Sequence, residues 1–300
     1  MNSSIVMLCG LSGLLLASPA LAQDPTFQFG KAEEVKDVKG VEWNASAEFG
    51  LVFTTGNSET TTITGGAKAG RKEGDNKFSA ELGGAFAQSG VRQLQDQNGN
   101  GTIDNEGEIV TVTTTSSRNL TGKLRYDRFL TEHNSLFAAA VASTDEPAGK
   151  ELVFGGQLGY SRLLYKSATH ELAGEAGFDY SHEKLISGDP VSIFSARFFV
   201  GYKGALSAST NADASLEALL NVNELDTPTG TASAGEDTRI NSKLGVTSKL
   251  TASLSINTGL EFKFDNKPAP LKISNLAAGF TPESSKLDTI MKASLIYSFF

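Results

Sequence analysis

The chain has 300 residues, with 26 Lys and Arg against 34 Asp and Glu, 31 Gly, 18 Phe, one Trp and one Cys, so its net charge is −8. That acidic balance excludes nucleic acid as the main partner, and a single cysteine excludes a disulfide scaffold. High glycine with few Met and Trp points to strands rather than to an ordinary helical enzyme.

Residues Ile5 to Ala17 form an apolar stretch of signal-peptide length, followed by Ser18-Pro19 and then Ala20-Leu21-Ala22, the small residues that a cleavage site needs. Cleavage before Gln23 is expected, which makes 1–22 a signal peptide. The stretch is too short to span a bilayer of about 30 Å as a helix. Met1 to Ser4 carry only the amino-terminal charge. A lipoprotein signal is the competing reading, but Met7-Leu8 stand before Cys9 where small residues are required. Cys9 leaves with the signal, so the exported chain has neither disulfides nor thiol chemistry. Residues 23–40 follow as a periplasmic segment, whose alternating signs in Lys31-Ala32-Glu33-Glu34-Val35-Lys36-Asp37 suit a solvated tail.

From residue 41 to 300 the pattern is alternation. Val41, Trp43, Ala45, Ala47, Phe49, Leu51 and Phe53 are apolar while Glu42, Asn44, Ser46 and Glu48 between them are polar, the period of two of a strand with unlike faces. Further strands are predicted at Thr60 to Lys72, Lys77 to Ala87, Ile109 to Leu130, Ser135 to Ser143, Leu152 to Tyr165 and Glu171 to Lys184. The series continues with Ser192 to Leu206, Ala212 to Leu225, Thr238 to Leu250, Leu254 to Phe264 and Leu287 to Phe300, twelve in all. No stretch of the exported chain reaches the 18 apolar residues of a transmembrane helix.

A water-soluble sandwich would show the same alternation with its apolar side inward. Three features favour an antiparallel, up-and-down transmembrane β-barrel instead. Tight connections such as Thr131-Glu132-His133-Asn134 and Thr251 to Ser253 alternate with mostly longer ones, including Ser89 to Glu108, Asp226 to Asp237 and Asn266 to Lys286. Short periplasmic turns facing long outer loops are the mark of such barrels. Aromatic residues gather at both strand ends: Trp43, Phe78, Tyr126, Phe137, Tyr202, Tyr297 and Phe299 at one, Phe53, Phe86, Phe154, Phe178, Tyr180, Phe194, Phe262 and Phe264 at the other. The chain also stops on Ile296-Tyr297-Ser298-Phe299-Phe300, a terminal strand of the kind barrel-insertion machinery reads. Small residues, Gly65, Ala67, Ala69, Ala139 and Gly156, are expected on the lipid side.

Trp43-Asn44-Ala45-Ser46-Ala47-Glu48-Phe49-Gly50-Leu51, followed by Thr54-Thr55-Gly56-Asn57-Ser58-Glu59-Thr60, resembles the opening hairpin of the salt-induced outer-membrane proteins, the family catalogued as domain of unknown function 481. Gly56-Asn57 permits the positive φ of a tight hairpin. Similarity continues through Gly155 to Leu164, Ala173 to Phe178 and the final Tyr297-Ser298-Phe299. The resemblance implies an exported β-barrel of the Gram-negative outer membrane and no agreed activity. The long loop after the third strand and the insertion from Asn266 to Lys286 depart from the family's usual form.

The sharpest local motif lies in that long loop. Asp96, Asn98, Asn100 and Asp104 place oxygen side chains at positions 1, 3, 5 and 9 of a calcium loop, with Gly101 at the sharp turn and Ile103 apolar. Thr102 offers its carbonyl at position 7. Position 12 is Gly107, so the closing carboxylate must come from Glu108 beside it. The alternative is a solvated loop turned by Asn98-Gly99 and Asn100-Gly101. Bound Ca2+ would stiffen the loop and perform no chemistry.

The alternation also sends charges of both signs into the lumen, among them Glu48, Glu81, Glu175 and Glu217 against Arg125, Arg197, Arg239 and Lys263. A strongly ion-selective pore would show a ring of one sign. Balanced charge reads as a salt-bridged interior or a weakly selective channel, and twelve strands leave room for a narrow aqueous path. A structural or passive-permeation role is therefore expected, in contact with outer-membrane lipid and lipopolysaccharide, with a selective small-solute channel as the alternative. A barrel lipid hydrolase is less favoured. His182 is the one histidine at the outer rim, and its neighbour Ser181 points to the opposite face, so the two cannot act as base and nucleophile.

Overall fold

The computed structural model describes residues 40–54, 58–94, 109–146, 148–186, 188–227, 230–268 and 285–299. Among them are fourteen strands and no helix. In chain order they are β1 (Val41–Thr54), β2 (Ser58–Glu73), β3 (Asn76–Leu94), β4 (Ile109–Thr131), β5 (Asn134–Asp145), β6 (Lys150–Lys166) and β7 (His170–Leu185). There follow β8 (Val191–Ala205), β9 (Thr210–Asn221), β10 (Leu225–Thr227), β11 (Gly230–Ala232), β12 (Thr238–Lys249), β13 (Leu254–Asp265) and β14 (Leu287–Ser298). All but β10 and β11 join one closed barrel of twelve antiparallel strands, sealed where β1 pairs with β14 from Ser46↔Ser298 to Phe49↔Leu295. These are the twelve strands that the alternation predicts. The signal peptide, residues 23–39 and the loop carrying the calcium motif lie outside the described residues.

Two strand ends differ from expectation by more than two residues. β3 runs past Ala87 to Leu94, because a register shift at Ala87/Gln88 interrupts the alternation without ending the pairing with β4. The ninth strand stops at Asn221 rather than Leu225. There the Asn221 side chain donates to the carbonyls of Asn223 and Ser233 and accepts from the Asp237 amide, which folds the chain back. The segment it captures forms the small β10–β11 hairpin. Its buried Leu225 and Ala232 pack on Leu185, Val191 and Ile193, the inward side of β7 and β8 at the barrel mouth.

Residues directly opposite on paired strands share a face, so the register sorts inside from outside. One row runs Phe78, Tyr126, Ala138, Leu158, Phe178, Ala196 and Leu220 around six pairings. It faces outward, and Phe178 keeps 68% of its surface exposed, as does Met291 on β14. Apolar exposure of this extent is anomalous for a protein surrounded by water and expected for one surrounded by hydrocarbon. Strand length agrees: twelve residues, as in β13, rise roughly 30 Å at about 3.4 Å per residue and a 40° tilt.

The row next to it, Lys77, Asp127, Phe137, Gly159, Gly177 and Arg197, faces inward. Phe137 is therefore not part of the membrane-facing aromatic girdle in which alternation placed it; it is 4% exposed, inside the barrel. Ala139, expected on the lipid side, stands opposite Arg125 and Gln157 and also faces inward. Both errors have one cause. β5 carries Ala138-Ala139-Ala140 at its centre, so the strand is apolar in both phases and its pattern cannot choose between them. Gly159 shows what the inward phase requires: a Cβ there would lie 2.7 Å from the Phe137 ring, so only glycine leaves the ring its place.

Candidate functional site

The functional candidate is the lumen, and it is built from the bottom of one wall. Arg125 and Asp127, two apart on β4, share the inward face, and Arg125 Nε donates to Asp127 Oδ2 at 2.8 Å. Arg125 Nη2 reaches across β5 and β6 to Glu175 Oε1 on β7, also at 2.8 Å. The second oxygen of Glu175 accepts from Arg197 Nη1 on β8 at 2.8 Å, and Arg197 Nε donates to Glu217 Oε1 on β9 at 2.6 Å. Asn241 on β12 closes the chain with a donation to Glu217 Oε2 at 3.2 Å. Five strands are thus tied together across the interior.

Two phenylalanines line the same place. The Arg125 guanidinium sits 4.0 Å from the Phe137 ring centre, and that of Arg197 lies 5.6 Å from Phe137 and 5.4 Å from Phe199. The rings offer their negative faces to the cations while excluding water. Arg197 is fully buried at 0% exposure. Removing these charges from water would cost several kcal/mol each if unpaired. Planar guanidiniums with several fixed donors are suited to offset that cost against two carboxylates at once. The arrangement forms a dense polar floor.

The remaining wall charges continue it. Glu81 on β3 stands between Lys68 and Lys123 in the register and within electrostatic reach of Lys203 and Lys243. Glu261 on β13 pairs with Lys243 at 3.4 Å and lies 3.9 Å from Lys263. Glu48 on β1 faces inward opposite Gly66 and Ile296. Lys123 Nζ donates to Gln157 Oε1 at 3.1 Å, and Gln157 Nε2 donates to Asp179 Oδ1 at 2.8 Å.

A second belt crosses the mouth at the long-loop end. The buried Glu183 on β7 accepts from Lys150 on β6 at 3.1 Å and from Arg239 on β12. Arg239 Nη2 also holds Asp237 at 3.0 Å, and its Nε lies 3.6 Å from Asp265. Burial pushes the Asp237 carboxyl above its ordinary range, against the pull of Arg239. Between belt and floor lies a cavity of about 440 Å³, lined among others by Thr121, Gln157, Asp179, Glu217, Asn241 and Asp288.

The structure thus gathers Arg125, Glu175, Arg197 and Glu217 into one network, and places Arg239, Lys263, Glu81 and Glu48 outside it. Asp127, Phe137 and Phe199 belong to the floor, Gln157 to the wall beside it and Glu183 to the belt at the mouth, and sequence reasoning did not single them out. The alternation did assign Asp127 to the lumen, and two-residue spacing from Arg125 was the available signal. Asp96, Asn98, Asn100, Thr102, Asp104 and Glu108 fall outside the described residues. Among the described residues no cluster of three metal-ligating side chains occurs. His182 meets Ser192 rather than Ser181: its Nδ1 lies 2.9 Å from Ser192 Oγ on the outward face, beside the Phe154 ring.

Among solved structures the barrel is similar to the NanC porin, at 7% identity and TM-score 0.43 over 85% of this chain and 98% of that one. It is also similar to the translocator domain of the autotransporter NalP from Neisseria meningitidis, at 14% identity and TM-score 0.41 over 90% and 92% of the two chains. A third is OmpT of Vibrio cholerae, at 10% identity and TM-score 0.38 over 87% and 99%. No curated protein matches the sequence. A model of the family described as protein of unknown function, DUF481, matches residues 47–299, which is nearly all of the barrel, and the chain belongs to that family.

Proposed function

We propose that this chain is an outer-membrane β-barrel of a Gram-negative envelope with a structural role, its interior closed to free permeation. The observation that carries this reading is the floor from Asp127 through Arg125, Glu175 and Arg197 to Glu217, in which the central guanidinium is fully buried. A water-filled path would solvate those groups. The partners in this reading are outer-membrane lipid and lipopolysaccharide around the outward apolar row, and the barrel-insertion machinery during biogenesis. The resemblance of the opening hairpin to salt-induced outer-membrane proteins supports the same compartment. A calcium-stiffened outer loop at Asp96 to Glu108 belongs to the reading on its ligand spacing alone.

The reading is of a protein that is not an enzyme, with His182 and Ser192 serving as polar groups at the membrane interface. A selective small-solute channel is the second reading, favoured by the cavity above the floor. Proteoliposome swelling separates the two. The refolded, signal-free protein is expected to leave liposomes impermeable to small sugars and amino acids, while its heat-modifiable gel mobility reports a folded barrel. Swelling at rates comparable with a general porin would overturn the structural reading.

A further inference from the structure

The cavity above the floor has an unequal lining. Among the described residues, six carboxylates face it (Asp145, Asp179, Glu183, Glu217, Asp265 and Asp288), against the cations Lys150, Arg239, Lys263 and Lys286. Glu183, Asp265 and Glu217 are already engaged by arginines. Asp179 is different. It accepts one hydrogen bond, from Gln157 at 2.8 Å, and no described lysine or arginine pairs with it. Gln157 is itself held by Lys123, so the carboxylate is oriented before any ligand arrives. Asp288 lines the same cavity from β14, five strands away around a twelve-stranded ring; its side chain makes no hydrogen bond among the described residues, and Lys263 stands opposite it in the β13–β14 register.

A second observation is independent of the acids. The hydroxyl of Thr121, a residue 1% exposed, lines the cavity and has no hydrogen-bond partner. A buried acceptor and a carboxylate with no cation in direct contact are both costly, and both are relieved by an N–H donor carrying positive charge. A neutral polyol would satisfy the hydroxyl and leave the charge uncompensated. For a bare metal ion, no three ligating side chains cluster among the described residues.

We propose that this vestibule is a binding site for small linear amines with two or more ammonium groups, one ammonium on Asp179 and another toward Asp288. Ammonium N–H groups donate to Asp179 and to Thr121, and an alkyl chain bridges the walls between them. The cavity volume, within the range of small-molecule sites, limits the ligand to a diamine or a short polyamine. The site reaches beyond the structural role proposed above and does not depend on whether the floor conducts.

Isothermal titration of the refolded barrel in detergent with 1,4-diaminobutane and with spermidine tests it. Saturable binding is expected, weakening at least tenfold in Asp179→Asn and in Asp288→Asn, and several-fold in Thr121→Val. Gel mobility confirms that each variant is folded, and tetramethylammonium, which has no N–H, is expected not to bind. Absent binding by the wild type, equal binding by the double Asn variant, or equally tight binding of tetramethylammonium would each overturn the assignment. Because the readout is heat in detergent, its failure is distinct from any finding about permeation.

Discussion

Arg197→Ala is expected to lower the unfolding free energy of the barrel by about 3–5 kcal/mol, because it leaves the buried Glu175 and the partly buried Glu217 without their shared cation. Glu175 and Glu217 both receive hydrogen bonds from Arg197, and Glu175 retains only Arg125. The truncation also removes one of the two long guanidinium side chains that fill the floor. Liposomes carrying the variant should therefore leak cations in preference to anions, since the floor loses one positive charge and Glu175 and Glu217 lose the cation they share. Urea unfolding followed by heat-modifiable mobility measures the first effect, and the reversal potential under a salt gradient the second. A loss below about 1 kcal/mol, the value of an exposed ion pair, would show that water already reaches the network. Replacing Arg197, Glu175 and Glu217 together by apolar residues of similar size should cost far less than Arg197→Ala alone.

Glu183→Gln tests the belt at the mouth and should act locally. Glu183 binds Lys150 from the start of β6 and Arg239 from the start of β12. Neutralising it leaves both cations short of a partner, at a cost of about 2 kcal/mol once their partial exposure is allowed for. Arg239 also holds Asp237, and Asp237 donates its amide to the Asn221 side chain that turns the chain into β10. Amide exchange should accordingly quicken in residues 146–150 and 222–237, with the barrel wall unchanged. Faster exchange spread evenly through β7 and β8 would contradict a local belt.

Much of this architecture is legible in the sequence because a barrel repeats one physical rule. Each strand has a solvent-unlike face and a polar face, and twelve alternating segments with turns of unequal length leave few alternatives. The rule weakens where the contrast between faces disappears. β5, with alanines in both phases, misplaces Phe137 and Ala139 for that reason, and β3 outruns its prediction at a bulge. The β10–β11 hairpin is invisible for another reason: three-residue strands carry no period, and their position depends on the Asn221 side chain.

The site is legible one residue at a time and not as a site. Alternation sends Arg125, Glu175, Arg197 and Glu217 inward, but their sum looks neutral along the sequence. Strand tilt decides which of them meet: Asp179, not Glu175, lies level with Arg125 in the strand pairing, and the tilt brings Glu175 to it instead. No spacing within one strand contains that information. His182 illustrates the same limit, since its partner Ser192 lies across the β7–β8 pairing, ten residues away.

The most direct test of a closed lumen is single-channel recording of the signal-free wild-type protein in a planar bilayer, beside Arg197→Ala prepared in the same way. A silent wild type and a variant with discrete, cation-selective steps are the predicted pair. Discrete steps from the wild type, unchanged by the substitution, would show that ions pass without crossing the Arg125–Glu175–Arg197–Glu217 floor and would contradict the account.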